Sequence, residues 1–165
     1  MKKYLIIALT ALVVLGCGNR TKKNNSVGGE SNQYIEVSGP DILTGETISI
    51  GDYLGGEKPL LVDFWASWCR PCRNEIKYKL LGLHASGKVN ILGIAVWEDS
   101  ADDTRAAMQE LGLGWPVMFK GDINDPVSAQ YGVEGIPALF LISPDGTILA
   151  SGHDIDEMEI DKFLQ

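Results

Sequence analysis

The stretch Pro59-Leu60-Leu61-Val62-Asp63-Phe64-Trp65-Ala66 is almost wholly apolar and has the length of a strand. Such a run is the pattern of a strand buried on both faces. Other elements must cover it on two sides, which restricts the chain to layered folds with a sheet in the middle. One charged residue, Asp63, interrupts the run. An ionised carboxylate buried there without a partner would cost several kcal/mol or shift its pKa upward. The alternative is a solvated acid at a strand end.

Around this strand the chain alternates between strand and helix patterns. Ile48 and Ile50 alternate with polar neighbours after Thr44-Gly45-Glu46, which predicts a hairpin at the start of the domain. Past two closely spaced cysteines, Ile76, Leu80 and Leu83 recur at helical spacing, and the pattern ends near Ser86-Gly87. Val89 to Trp97 reads as a second buried strand. Ser100-Ala101-Asp102-Asp103 is a helix start with acids in its first turn, Met108 and Leu111 supply an apolar stripe, and Gly112 closes the helix. A short strand is predicted over Trp115 to Phe119 and a brief helix after Asp125-Pro126. A strand at Ala138 to Ile142, a turn at Pro144-Asp145-Gly146 and an antiparallel return at Thr147 to Ser151 follow. Asp154 to Leu164 is expected as a final helix. Together these elements imply an α/β fold in one domain, residues 34–165, with no internal repeat.

At the other end, Met1 to Lys3 place two positive charges before a run from Tyr4 to Leu15 that is apolar except for Thr10. The run is too short to span about 30 Å of hydrocarbon, so residues 1–16 read as a secretory signal rather than a membrane helix. Val14-Leu15-Gly16-Cys17 resembles the lipobox of bacterial lipoproteins, where the cysteine is acylated. Ordinary cleavage, leaving a free thiol, is the alternative. Residues 17–33 carry almost no large apolar side chain and are expected to be a flexible tether, spanning roughly 20 Å at about 5–6 Å times the square root of its length. The expected location is extracytoplasmic, membrane-anchored through lipid on Cys17, and periplasmic if the cell has an outer membrane.

Residues 34–165 hold 9 basic against 21 acidic side chains, a net of −12, within a chain of formal net charge −8. Nucleic acid is therefore an improbable partner. The basic residues Arg20, Lys22 and Lys23 beside Cys17 suit an anionic membrane surface.

With Cys17 assigned to lipid, two cysteines remain, in Trp68-Cys69-Arg70-Pro71-Cys72, where the buried strand gives way to a helix. Unpaired N–H groups and the macrodipole at a helix N-terminus stabilise a thiolate, so Cys69 is expected to have a lowered pKa and enough exposure to attack. Cys72, one turn further in, is expected to be shielded and to resolve the mixed disulfide. A zinc site would need two further ligands, and only His84 and His153 are available, at no recognisable spacing. A static structural disulfide would constrain little chain entropy across so short a loop. Peroxide reduction by a single attacking cysteine stays open.

Val62-Asp63-Phe64-Trp65-Ala66-Ser67-Trp68-Cys69-Arg70-Pro71-Cys72 resembles the active-site stretch of thioredoxins. With the signal, the helix and strand at 100–119, and Val133-Glu134-Gly135-Ile136-Pro137, the chain is most similar to membrane-tethered extracytoplasmic thioredoxin-like proteins of the TlpA and ResA type. The resemblance implies a thioredoxin fold, a central mixed sheet flanked by helices, with an N-terminal β-hairpin and an inserted helix-strand unit.

It further implies a protein-disulfide reductase acting on client proteins through Cys69 and Cys72, fed by a membrane electron-donor protein, with no cofactor beyond the cysteine pair and no metal. Pro137 matches the family's cis proline, and Ile136 the residue whose backbone pairs with an extended substrate segment. Trp68, Arg70 and Pro71 complete the expected client-binding surface. Asp63 matches the acid that exchanges a proton with the second cysteine, and Glu75 a secondary tuning glutamate. Lys77 stands where many relatives have a helix-kinking proline, so a straighter helix is expected. No lysine occupies Gly93 to Ala95, where a partner for Asp63 would lie, so Asp63 is expected to keep a high pKa. The runner-up functions are a thiol peroxidase, which would need Thr or Ser where Ala66 stands, and a copper chaperone on the same fold.

Overall fold

A computed structural model describes residues 32–164. The calls on residues 1–31, including the signal, Cys17 and most of the tether, lie outside them. The first elements are strands β1 (Ser38–Pro40) and β2 (Thr47–Ser49), an antiparallel hairpin. Asp41 closes it by accepting the Leu43 and Thr44 N–H groups at 3.1 and 2.8 Å. Ile50, just past β2, is fully buried.

The predicted central strand is β3 (Leu60–Trp65), and all six of its residues are buried. It is followed by a helix in three segments: α1 (Arg70–Glu75), a π-helical turn (Ile76–Leu80) and α2 (Leu81–Ser86). The expected regular helix is therefore interrupted. The absence of proline at Lys77 does not make the ladder regular, because a wider turn places Ile76 and Leu80 in the core while Lys77, Tyr78 and Lys79 stay outside. Gly87 ends α2 in the left-handed region at φ 67°, where an L side chain would be strained.

Strand β4 (Asn90–Val96) is parallel to β3. Helix α3 (Ala101–Leu111) is capped as predicted, with the Ser100 hydroxyl accepting the Asp103 N–H at 3.1 Å and Gly112 left-handed at its end. Strand β5 (Val117–Lys120) joins the far side of β4 in parallel, and the Ile42 N–H donates to the Val117 carbonyl at 2.9 Å, fastening the hairpin to the sheet edge. A single turn, α4 (Val127–Gln130), leads to β6 (Ala138–Ile142) and its antiparallel return β7 (Ile148–Gly152). The sheet order is β5-β4-β3-β6-β7, with β6 antiparallel to β3. This is a mixed sheet with helices on its faces.

The final helix is shorter than expected. α5 covers Glu157–Asp161, with Asp156 as its cap. Met158 is 73% exposed and Ile160 buried, so the apolar stripe needed to extend it is missing. Lys88 reaches α5 through Glu157 and Asp161 at 2.7 and 2.9 Å, exposed pairs that solvent and salt screen.

Candidate redox site

β3 ends at Trp65, and the chain turns through Ala66, Ser67 and Trp68 into α1. Cys69 is the N-cap of α1, and Pro71 falls in the first turn, where no N–H is needed. The two cysteines are joined as a disulfide. The Cys72 N–H points at Cys69 Sγ, 3.2 Å away, so a thiolate formed at Cys69 would meet a backbone donor as well as the helix end.

Cys72 is 1% exposed, as its position in the helix requires, but Cys69 is only 3% exposed. The expectation of an open Cys69 is corrected for this disulfide form. Its sulfur packs against the loop before β6, with the Ile136 carbonyl oxygen 3.8 Å away, a contact made across 67 positions. The Ile136–Pro137 peptide is cis. Ile136 and Pro137 are partly exposed beside the disulfide, and Trp68, Arg70 and Pro71 are exposed around it, Trp68 at 58%. The structure thus brings these five residues and the cysteine pair into one surface. His153 is exposed and places Nδ1 2.6 Å from the Pro137 carbonyl oxygen.

Asp63 is 1% exposed, and neither carboxyl oxygen has a hydrogen-bond partner. The solvated strand-end alternative is excluded. Side chains alternate along a strand, so Asp63 shares a face with Leu61 and Trp65, which pack in the cluster that holds Cys69, Cys72, Ile76 and Leu80. Burial, and next the negative charge of Glu75, push the Asp63 carboxyl up to about 8. Directly across the sheet from Asp63 is Gly93. A Cβ there would lie 3.0 Å from Val117 Cγ2 and 3.1 Å from Trp65 Nε1, so a longer side chain at this position would have to displace both. Glu75 is not an open first-turn acid: its side chain is 10% exposed, and it faces Lys79.

The loop before Cys69 is held by Glu98, Trp97 and Arg73, none of them among the expected site residues. The buried Glu98 accepts both the N–H and the hydroxyl of Ser67, the latter at 2.7 Å. Trp97 has φ 55°, a left-handed conformation unusual for a bulky residue, and its carbonyl accepts the Trp68 indole N–H at 2.8 Å. Arg73 donates to the Ser67 carbonyl at 3.3 Å and pairs with Glu110 on α3 at 2.6 Å. The available signal was positional: Trp97-Glu98-Asp99 follows the C-terminal end of a parallel strand, the edge where such sheets build sites.

His84 stands against the Trp115 ring, 5.3 Å between centroids, well apart in sequence from the redox loop. Among the described residues no group of three or more His, Cys, Asp or Glu side chains could hold a metal ion, and no helix is long and apolar enough to cross a membrane.

Comparison with known proteins agrees with this geometry. The AhpC/TSA family pattern matches residues 32–151. The chain is 36% identical over 109 residues to the thiol:disulfide interchange protein HelX of Rhodobacter capsulatus, covering 63% of this chain and 60% of that protein. It is 29% identical over 155 residues to the thiol-disulfide oxidoreductase ResA of Bacillus subtilis, covering 90% and 84%. Against HelX and against ResA of Geobacillus thermodenitrificans, the match spans about three fifths of the relative's length. The thioredoxin domain of a thiol-disulfide oxidoreductase from Bacteroides vulgatus superposes with a TM-score of 0.69 at 26% identity, covering 85% of this chain and 100% of that one.

Proposed function

The chain belongs to the AhpC/TSA family, on a thioredoxin-like fold, and from that premise we propose that it is a protein-disulfide reductase of extracytoplasmic clients. The observation that carries this reading is the Cys69–Cys72 disulfide at the start of α1, facing the Ile136–Pro137 peptide.

In the reduced protein the Cys69 thiolate attacks a client disulfide. A bond forms between Cys69 and one client sulfur, and the other leaves as a thiolate that takes a proton from water. Asp63, when ionised, takes the proton of Cys72, whose sulfur then displaces the client from Cys69. The client leaves as its second thiolate, and the intramolecular disulfide closes. Two electrons pass from the cysteine pair to the client. Ile136 offers backbone groups to an extended client segment, while Trp68, Arg70, Pro71 and Pro137 border it.

No cofactor beyond the cysteines enters this scheme. The electrons are returned by a membrane donor protein, and lipid on Cys17 keeps the domain near it. Support for the anchor comes from the charged start, the short apolar run and the lipobox-like tetrapeptide. Loss of membrane association and of acyl mass in Cys17→Ala is the expected result. A mature wild-type protein without acyl mass would refute the anchor.

Equilibration with glutathione buffers tests the direction. A potential near about −270 mV supports a reductase, and one above about −180 mV would make it an oxidant or isomerase. Peroxide reduction has less support, because the buried Ala66 supplies no hydroxyl three positions before Cys69.

A further inference from the structure

Asp63 is the inner end of a line of charged groups that crosses three further segments. Glu75, on α1, has Oε1 buried without a partner and Oε2 3.4 Å from Lys79 Nζ. Lys79, on the π-helical turn, also pairs with Asp154, in the segment after β7. The Lys79 side chain is 40% exposed and that of Asp154 63%, so this end of the line meets solvent. Cys72, from α1, lies in the cluster on Asp63's face of the sheet.

Glu75 follows Cys72 by one helical turn and its charge acts on Asp63, and of two interacting carboxyls the one whose charge is less favoured keeps its proton to higher pH. Asp63 has no hydrogen-bond donor among the described residues, while Glu75 has the Lys79 ammonium. The proton therefore rests on Asp63 and the charge on Glu75. Without the ammonium, Glu75 would become a second shielded acid and would compete for the proton.

We propose that Lys79 is a positioning residue for the exchange reaction. By holding Glu75 as a carboxylate it localises the proton of the pair on Asp63, and Asp154 weakens that hold by competing for the same ammonium. The inference rests on the proposed function for the link between Asp63 and Cys72. The balance of forces on Glu75 agrees with it: burial raises its proton affinity, Lys79 lowers it and Asp154 raises it.

The test is carbon-13 NMR titration of the Asp63 and Glu75 carboxyls in the oxidised full chain. Lys79→Met should raise the Glu75 midpoint by about one pH unit. Lys79→Arg should restore it, and Asp154→Asn should lower it by a smaller amount. In single-turnover measurements, the pH profile for release of a peptide thiol from the Cys69 mixed disulfide should move downward in Lys79→Met, because a Glu75 that keeps its own proton no longer opposes the ionisation of Asp63. In a Glu75→Gln background the same substitution should leave that profile in place.

A Glu75 midpoint unmoved by Lys79→Met would overturn the proposal, as would a Lys79→Met effect that persists after Glu75→Gln. A moved midpoint with an unmoved release profile would overturn the link to Cys72. The carboxyl titrations need no substrate, so they report on Lys79 even if the chain proves not to reduce disulfides.

Discussion

The two faces of β3 are built from alternate residues of one strand, yet they differ in kind. Leu60, Val62 and Phe64 point into a cluster that includes Ile50, Leu92, Ile94 and Tyr131, and the rings of Phe64, Tyr131 and Phe140 meet at centroid distances of 5.0 to 5.6 Å. Leu61, Asp63 and Trp65 point the other way, toward the cysteines. There both Asp63 oxygens, Trp65 Nε1 and Glu75 Oε1 are buried without partners. Each unpaired buried polar group costs about 1–3 kcal/mol. The second face thus gives up some stability to keep a carboxyl whose proton is released near pH 8.

The largest expected effect lies on the reactive face. Cys69→Ser and Cys72→Ser should each remove nearly all exchange with client disulfides. They should differ in what accumulates. Cys72→Ser leaves an attacking thiol without a resolver, so mixed disulfides should build up and vanish on treatment with dithiothreitol. Cys69→Ser should trap little, since Cys72 is shielded within the helix. Equal trapping by the two variants would reverse the roles.

Asp63→Asn separates the faces by pH. Folding raises the Asp63 pKa to about 8, so between about pH 4 and pH 8 the folded chain keeps a proton that the unfolded chain releases. Stability from this group falls as pH rises through that window. Replacing Asp63 by Asn should therefore stabilise the protein at pH 8, on the order of 5 kcal/mol, and change little at pH 4. Urea titrations at the two pH values measure this. The same variant should slow resolution by Cys72 about 100-fold, with a smaller effect on attack by Cys69. Equal stability changes at both pH values would mean that Asp63 is ionised in the fold.

Phe64→Ala probes the other face. It should cost about 3–4 kcal/mol through the cavity it leaves, at pH 4 and pH 8 alike, with the Cys69/Cys72 potential unchanged. A shifted potential would show that the faces are coupled through β3 rather than separate.

The same contrast explains what was legible in the sequence. The apolar run of β3 and the caps Gly87, Ser100 and Gly112 obey local rules, so their elements were readable from neighbours in the chain. Asp63 stood out because it broke a local pattern. The remaining features rest on contacts between distant segments. Glu98 meets Ser67 across 31 positions and Lys79 meets Asp154 across 75, and no local signal specifies either pairing. The π-helical turn is likewise a compromise between the helix and the core beneath it. The burial of Cys69 depends on where the loop before β6 comes to rest.

The smallest expected effect is at the border between the two kinds of region. Trp68 is 58% exposed and belongs to the proposed client-facing rim, but its indole N–H is tied at 2.8 Å to the carbonyl of Trp97, which follows β4 in a left-handed conformation. Trp68→Phe keeps an aromatic rim and removes only that donor. The Trp97 carbonyl is then released at a partly exposed position, where water can replace the lost partner, so the cost in stability should be about 1 kcal/mol or less. Because Trp68 immediately precedes Cys69, the freed loop should show itself first in exchange kinetics, as a fall in kcat/KM of less than about tenfold that Trp68→Ala deepens mainly through KM. If Trp68→Phe leaves both stability and kcat/KM unchanged while Trp68→Ala raises KM, the bond to Trp97 is incidental and Trp68 acts only as an apolar contact for clients.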